Sequence, residues 1–402
     1  MPMERDSRKA VGEEGFEWGA DTIEAEIREG VRRLIETIVE EELESMLGAG
    51  KSQRVGAVRS GYRHGARERQ LTTSLGHTTI RLPRARLKGV DGAEREWHSR
   101  IIPRYQRRTE RVDGALLGAY LSGINTCRLR GALSPLLRGA PLSKDAVSRL
   151  VGRLRDEFTA WSTRDLAAEE VYYLFLDGWY PRVRIGKKRA RVPVFVVLGV
   201  CADGRRIVLD MRIAGQESEA AWRELLQLLM ARHLDTPALA VIDGNPGLQA
   251  ALRAQWPEIA IQRCTNHQLR NLLAKAPAHL REELAEDYRR MVYADSREAV
   301  QAERARFLRK WRLRCKAVVS SFEEAGEELF TFLQFPQSPW QALRTTSALE
   351  RINGEFRRRT KTQASLPDED AMLLLLYGLL RSGQIVLRRI DGRDDMPNPN
   401  RN

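Results

Sequence analysis

Cysteine is scarce in this 402-residue chain, and long apolar runs are absent. The four cysteines lie far apart, which argues against a disulfide framework and suits a reducing cytosol. No stretch of about 18 apolar residues occurs, so we expect no membrane span. Residues 1–15 are charged and lack the apolar segment of a signal peptide. These absences favour a cytoplasmic protein.

Positive charge, by contrast, is in excess. Sixty-seven Lys and Arg residues against 54 Asp and Glu residues leave a formal net charge of +13. That excess is larger than solubility requires and indicates a polyanionic partner, most often nucleic acid. Hydrophobic residues make up 42% of the chain, which is enough for a core and excludes wholesale disorder. A chain of this length is expected to form about two to four domains.

The N-terminal part of the chain divides into two predicted regions. Residues 1–50 form a helical region, because apolar residues recur there at helical spacing. Residues 51–110 form a basic, strand-containing region, with a turn at 61–65 and short strands at 70–74 and 78–82. The candidate DNA contacts of this region are Arg81, Arg84, Arg86 and Lys88. An ordinary solvated edge strand would have the same composition.

Residues 111–165 carry three short helical patterns separated by glycine-containing breaks. This arrangement resembles a helix-turn-helix, whose last helix would enter a major groove of DNA. The outward cations of that helix would be Lys144, Arg149 and Arg153. An ordinary helical bundle has the same pattern, so both interpretations stay open.

From residue 166 onward the sequence predicts an α/β core. Three strand patterns are followed by alternating helix and strand patterns over 166–275, which predicts a mixed five-stranded sheet with helices on its faces. This order matches the ribonuclease-H-like fold. Residues 276–342 predict an all-helical insertion, and helix signals resume over 343–385. The Pro-, Asn- and Asp-rich tail, 386–402, is predicted to be disordered.

Two aspartates stand at the ends of buried strand patterns. Asp177 and Asp243 each precede a glycine, after the first and fourth predicted strands, which the fold would make neighbours. Two close carboxylates repel and need a proton or a cation, and carboxylate oxygens suit Mg²⁺. One strand-terminal Asp-Gly would be ordinary turn chemistry. Two such pairs on adjoining strands favour a metal site.

A third acid is expected on a helix beside this sheet. Glu350 and Arg357 are seven residues apart and therefore share a helix face. A metal-binding carboxylate beside a cation that reaches phosphate would suit DNA strand chemistry. A surface helix with ordinary salt bridges is the alternative. Spacing alone does not choose between Glu350 and Glu355 as the acid.

Cys264 and His267 form a Cys-Thr-Asn-His sequence of unclear role. A zinc site is weakly supported, because no second pair of ligands follows at suitable spacing. A buried cysteine and a polar histidine at a helix start are the plain interpretation. Alternatively, His267 and Arg270 share a helix and approach DNA beside the metals.

Taken together, these residues resemble a known family. Asp177-Gly178, residues 241–248, residues 262–271 with their Cys-x-x-His, and residues 345–359 are similar to the mutator-type transposases of bacterial insertion sequences. Gly61-Tyr-Arg-His-Gly65 is similar too. The resemblance covers residues from about 50 to 385.

The resemblance implies a ribonuclease-H-like DNA transposase whose Asp-Asp-Glu triad is Asp177, Asp243 and Glu350. It selects Glu350 over Glu355, although Ser347 replaces an asparagine of the family pattern. It further implies two Mg²⁺ ions, with Mn²⁺ as a substitute.

The partners that the resemblance implies are the terminal inverted repeats of the element and target DNA. A homodimer or larger assembly in the bacterial cytoplasm, associated with the nucleoid, is also expected. A nuclease of the same fold and a non-catalytic DNA-binding regulator are the alternatives.

Overall fold

The computed structural model describes residues 22–53, 60–89, 93–121, 144–185, 188–362, 369–383 and 385–396. Two compact units divide the chain. Of the described residues, the first unit holds those up to Leu117 and 144–147, and the second holds 118–121 and those from Ser148 onward. No helix within these described ranges is long and apolar enough to cross a membrane.

The first unit pairs a long helix with an antiparallel sheet. Its elements are α1 (Thr22–Leu47), β1 (Gly61–Thr73), β2 (Gly76–Lys88), β3 (Glu94–Glu96) and the start of α2 (Glu110–Leu121). Alternation along β2 places Ile80 and Leu82 on one face, where they form a core with Leu43 and Leu47 of α1. Ala85 joins this core after a change of phase, and Arg81, Arg86 and Lys88 of β2 are exposed.

The two short strands predicted in this unit are present but are longer than expected. The turn predicted at 61–65 is wrong, because these residues lie in β1 and pair with β2. Instead of a turn, the register shifts between Arg63 and Ala66, which marks a bulge. Glycine and histidine there accommodate an irregularity within a strand, which local composition does not distinguish from a turn.

Two of the three predicted helices of the helix-turn-helix-like segment are described. They are α2 and α3 (Lys144–Ser162). The middle helix of the pattern, near 126–137, lies outside the described residues. The helix-turn-helix therefore stays a prediction.

The second unit is built on a five-stranded mixed sheet. Its strands are β4 (Val171–Trp179), β7 (Val194–Cys201), β8 (Arg206–Ile213), β9 (Leu239–Ile242) and β10 (Ala260–Arg263). Their order is β10-β9-β4-β7-β8, with β7 antiparallel to β4 and β8, and β9 parallel to β4 and β10. The predicted neighbourhood of the first and fourth strands of this core is confirmed.

A short hairpin that the sequence did not predict separates β4 from β7. It consists of β5 (Arg182–Ile185) and β6 (Lys188–Arg191), in which Arg182 pairs with Arg191. Its strands are only four residues each. Arg182–Ile185 alternates charged and apolar residues, but Lys188–Arg191 is basic at all positions except Ala190, so the pair shows no common strand pattern.

Helices alternate with the last strands of the sheet, as predicted. They are α4 (Glu219–Ala231), α5 (Pro246–Gln255) and α6 (Thr265–Lys275). Ser218 caps α4 and Asn245 caps α5 through their side-chain oxygens, with Pro246 in the first turn of α5. Trp222 of α4 stacks on Phe195 of β7 with ring centroids 3.7 Å apart. The helices are thus seated on the sheet by aromatic and aliphatic packing.

The insertion is helical, and residues 276–342, all described, contain no strand. Its helices are α7 (Arg281–Val292), α8 (Arg297–Arg314), α9 (Lys316–Ala325) and α10 (Trp340–Leu343). A buried amide joins the insertion to the sheet, because Gln262 Nε2 donates to Leu329 O at 2.9 Å and Gln262 Oε1 accepts from Phe332 N at 2.8 Å. The prediction of an all-helical insertion is confirmed.

Two helices and a packed segment complete the second unit. The helices are α11 (Ser347–Thr362) and α12 (Glu369–Arg381). Residues 385–396 differ from the predicted disordered tail, since Ile390 and Met396 are buried and Ile390 N donates to Gly204 O at 2.9 Å. Two apolar anchors therefore outweigh the polar composition of this segment.

A buried ion pair joins Arg232 to Asp210 on the edge strand β8. Its loss should destabilise the protein. Arg232 Nη1 lies 3.0 Å from Oδ2 of Asp210, which is fully buried in β8. Replacing Arg232 with Met should lower the free energy of unfolding by about 3 kcal/mol, because Asp210 then keeps only the partly exposed Arg212 as a cation. Urea unfolding followed by tryptophan fluorescence would measure this loss.

The control is Arg223→Met on α4, which removes an exposed pair with Glu219. That change should alter the free energy of unfolding by less than about 1 kcal/mol. Equal effects of the two variants would contradict a structural role for the buried pair.

Candidate active site

The two strand-terminal aspartates lie side by side at the carboxyl ends of β4 and β9. In the parallel pairing of these strands Phe175 is opposite Val241, and two further residues along each chain reach Asp177 and Asp243. The loop after β9 is tight, because Asp243 Oδ1 accepts from Asn245 N at 2.9 Å. Gly244 has a φ of 97°, which favours glycine.

Glu350 joins this edge of the sheet from the first turn of α11. Its carboxylate Oε1 accepts a hydrogen bond from Arg270 Nη1 at 2.7 Å and lies 3.8 Å from His267 Nε2. Glu355 instead pairs with Arg358 and lines a different cavity, with Arg206 and Arg351. The geometry thus separates the two acids that spacing alone left equal.

The pKa of Asp177 reports the proximity of the other acids. Asp177 is 8% exposed, and this burial, followed by repulsion from Asp243, raises the pKa of its carboxyl group to about 7. Glu350 and Glu217 add to the increase, whereas His267 opposes it. A cation at this position would relieve the same repulsion.

Cys264 and His267 connect the sheet to the residues just before α11. Thr346 N and Thr346 Oγ1 both donate to Cys264 Sγ, at 3.3 and 3.4 Å. Burial raises the pKa of the Cys264 thiol, but hydrogen bonds to His267 and Thr346 outweigh it and leave that pKa below its ordinary value. The hydrogen bond with Cys264 in turn raises the pKa of His267. Cys264 therefore links the end of β10 to Thr346 and to His267 by hydrogen bonds.

A cavity of about 850 Å³ opens onto two of the three acids, Asp177 and Glu350. Its charged lining residues are Asp177, Glu350, Arg182, Arg191, His267, Arg270 and Arg357. Trp179 and Tyr180 add aromatic surface. Carboxylates surrounded by arginines suit an anionic substrate that is drawn in by the arginines while the acids hold a cation.

The structure places the ten predicted DNA contacts in different settings. His267, Arg270 and Arg357 line the cavity. On β2, the residues Arg81, Arg86 and Lys88 are exposed, while Arg84 and Arg86 pair with Glu96 and Glu94 of β3. On α3, Arg149 and Arg153 are exposed, and the side chain of Lys144 lies outside the described residues.

Several residues at the site were missed by sequence reasoning. Asn353 is buried and donates from Nδ2 to Asp177 Oδ2 at 2.8 Å. Its position three residues after Glu350, on the same helix face, could have indicated it. Glu217 accepts hydrogen bonds from Tyr180 Oη and Trp222 Nε1, and no sequence spacing relates those residues to the triad.

The donors at the site fit a hard cation in their chemistry, since all three predicted ligands are carboxylates and they repel one another. In the described part of the chain, however, no three Asp, Glu, His or Cys side chains lie close enough to hold a metal. In this structure the Glu350 carboxylate instead accepts a hydrogen bond from Arg270.

Fold and site define an α/β protein with an acidic cluster and an arginine-rich cavity at the carboxyl edge of a mixed sheet. Residues 13–385 of the chain match the family that is described as "Transposase, Mutator family". The chain therefore belongs to the Mutator family of transposases.

Individual relatives agree with this family over most of their length. The chain is 32% identical over 353 residues to the transposase for insertion sequence element ISRM5 of Rhizobium meliloti (strain 1021), covering 88% of this chain and 86% of the relative. It is 31% identical over 354 residues to that for IS406 of Burkholderia multivorans (strain ATCC 17616 / 249), covering 88% and 89%. The transposase for IS1081 of Mycobacterium tuberculosis (strain ATCC 25618 / H37Rv) is 28% identical over 339 residues, covering 84% and 80%.

Proposed function

We propose that this protein is an insertion-sequence transposase that binds the terminal inverted repeats of its element and catalyses Mg²⁺-dependent DNA cleavage and strand transfer. The observation that carries the proposal is that Asp243 and Glu350 both lie near enough to Asp177 to raise its pKa, beside an arginine-lined cavity in a chain of the Mutator family. Because two element ends must be held together, we propose that it acts as a homodimer or larger assembly.

The sheet supports a ribonuclease-H-like core for this chemistry. Three antiparallel strands are followed by two parallel ones on the far side of β4, in the order β10-β9-β4-β7-β8. This arrangement agrees with the strand order expected from the sequence. It also explains why acids from two separate strands reach a common edge.

Asp177, Asp243 and Glu350 would hold Mg²⁺, and Mn²⁺ would serve in its place. When bound, the metal ions would activate the attacking oxygen and stabilise the leaving one during in-line displacement at phosphorus. The protein contributes placement and charge rather than a covalent nucleophile. Arg182, Arg191 and Arg357 would neutralise phosphates along the cavity.

Arg270 has two partners in this proposal. In the structure it holds the carboxylate of Glu350. If Glu350 held a metal, the guanidinium of Arg270 would be available to a DNA phosphate at the same cavity. The exchange would link assembly of the triad to the arrival of substrate.

Strand joining distinguishes this proposal from its rivals. The protein would be incubated with a labelled element end, a target plasmid and Mg²⁺, and the products separated on denaturing gels. A transposase gives plasmid-joined label, whereas a nuclease of the same fold gives cleaved ends alone. A regulator that binds without catalysis gives neither product.

Binding to element ends should depend on the exposed cations of β2. In the full chain, replacing Arg81 and Lys88 with Ala should weaken binding and reduce the slope of log affinity against log salt by about 2, because each phosphate contact contributes roughly 0.9. Fluorescence anisotropy over a salt series measures the slope. Arg309→Ala, an exposed position on α8, is the control.

No change of slope in the double variant would place the phosphate contacts elsewhere. Equal affinity of the unaltered chain for terminal repeats and for random duplex would remove end recognition from the proposal.

A further inference from the structure

Asn353 combines a buried hydrogen bond to a triad acid with an unpaired polar atom. It is 4% exposed and lies on α11, one turn after Glu350. Its Nδ2 donates to Asp177 Oδ2 at 2.8 Å, while its Oδ1 is buried and has no hydrogen-bond partner. A buried carbonyl oxygen without a hydrogen-bond partner is unfavourable, because its lost hydration is not replaced. A buried polar atom without a hydrogen-bond partner, beside a triad acid, indicates that a water molecule or an ion binds there.

The orientation of the Asn353 amide is set by its neighbour. An ionised Asp177 carboxylate accepts hydrogen bonds only, so the NH₂ group must face it and the amide oxygen must face away. Asn353 lines the same cavity as Asp177 and Glu350, and its unpaired oxygen is buried beside that cavity.

The support beneath Asn353 is rigid. Phe356, one turn further along α11, is fully buried and packs against Trp179 of β4 with ring centroids 5.9 Å apart. The helix is therefore fixed on the strand that carries Asp177. A side chain held in this way keeps its partner within a narrow range of positions.

We propose that Asn353 is a positioning residue for the cation site, with two roles. By occupying Asp177 Oδ2 it restricts the direction of Asp177 Oδ1 toward the cation. Through its own Oδ1 it accepts a hydrogen bond from a water molecule of the hydrated cation, which Mg²⁺ retains in most protein sites. This inference rests on the proposed function, because it requires Asp177 to be a metal ligand.

Mn²⁺ binding to the full chain tests the proposal without relying on catalysis. Free Mn²⁺ would be quantified by electron paramagnetic resonance in titrations of the unaltered protein and of Asn353→Leu, which keeps the size but removes both polar groups. Outer partners of metal ligands contribute about 10–100-fold to affinity, so the dissociation constant should rise by that factor. Cleavage by Asn353→Leu should recover in part at high Mn²⁺.

A matched control removes a buried amide outside the cavity. Gln262→Met loses the hydrogen bonds to Leu329 and Phe332 and should lower thermal stability without changing the affinity for Mn²⁺. If Asn353→Leu does not fold, Asn353→Ser replaces it, with the same expected weakening.

The outcomes distinguish a failure of the role of Asn353 from a failure of the metal site. If the unaltered protein binds Mn²⁺, Asp177→Asn loses binding, and a folded Asn353 variant keeps its affinity within twofold, the role of Asn353 is overturned and the proposed function survives. If the unaltered protein and Asp177→Asn bind Mn²⁺ equally, the metal site itself is wrong and the role of Asn353 falls with it.

Discussion

Replacing Asp177, Asp243 or Glu350 by its amide is expected to abolish strand cleavage and strand joining. Each change preserves the size of the side chain but removes the charge that binds a hard cation. The loss should exceed about 100-fold, because the metals supply both activation of the attacking oxygen and stabilisation of the leaving oxygen. Cleavage of a labelled element end in Mg²⁺ measures it, and binding of that end should persist in all three variants.

Glu355→Gln is the matched control for this experiment. Glu355 is on the same helix as Glu350, but it pairs with Arg358 and lines a separate cavity. It should retain most of the activity. An inactive Glu355→Gln beside an active Glu350→Gln would show that the third ligand is misassigned, and cleavage by Asp177→Asn would remove the metal mechanism.

Metal-free protein is expected to lose stability as the pH rises from about 4 to about 7. The pKa of Asp177 is raised from an ordinary 3.8 to about 7 in the folded state. In that window the folded chain therefore binds a proton that the unfolded chain has already released. The stabilisation is complete below the lower value and is lost as the pH passes the upper one, at about 1.4 kcal/mol for each pH unit between them.

Asp177→Asn removes this titration and should be more stable than the unaltered protein at pH 8 without metal. The two should be equally stable near pH 4. Thermal unfolding in a chelating buffer measures both, with an expected difference at pH 8 of several degrees.

Adding Mg²⁺ at pH 8 should raise the unfolding temperature of the unaltered protein only, because the variant lacks the carboxylate. Below pH 7, where protons compete for Asp177, the apparent affinity for Mg²⁺ should fall about tenfold for each pH unit. A variant no more stable than the unaltered chain at pH 8 would mean that Asp177 is not buried beside other acids.

Much of the second unit could be predicted because its signals are local. Strand β7 and residues 171–176 of β4 are apolar runs, helix α5 begins with Asn245 as its cap and Pro246 after it, and α7 and α9 of the insertion show helical apolar spacing. The neighbourhood of Asp177 and Asp243 followed from this order, since strand order determines which carboxyl ends meet.

The remaining features depend on contacts between positions far apart in the chain. The hydrogen bond from Asn353 to Asp177 spans 176 residues, and the contact of Thr346 with Cys264 spans 82. Neither leaves a periodic pattern in the sequence. The prediction of disorder over 385–396 was wrong for a related reason. Much of this segment is polar, but two of its side chains, Ile390 and Met396, are buried, and Ile390 N donates to Gly204 O in a distant part of the chain.

Under the proposed mechanism, the helical insertion also delays the point in synthesis at which the protein can become active. Asp177 and Asp243 leave the ribosome on adjoining strands, but Glu350 follows only after the entire stretch that forms α7 to α10. At roughly 5–20 residues per second, the helix that carries Glu350 is delayed by about 5–20 s. A nascent or truncated chain that ends before α11 has the first two acids but neither Glu350 nor Asn353. Under the proposed mechanism, an unfinished chain therefore does not cut the DNA from which its own messenger is being transcribed.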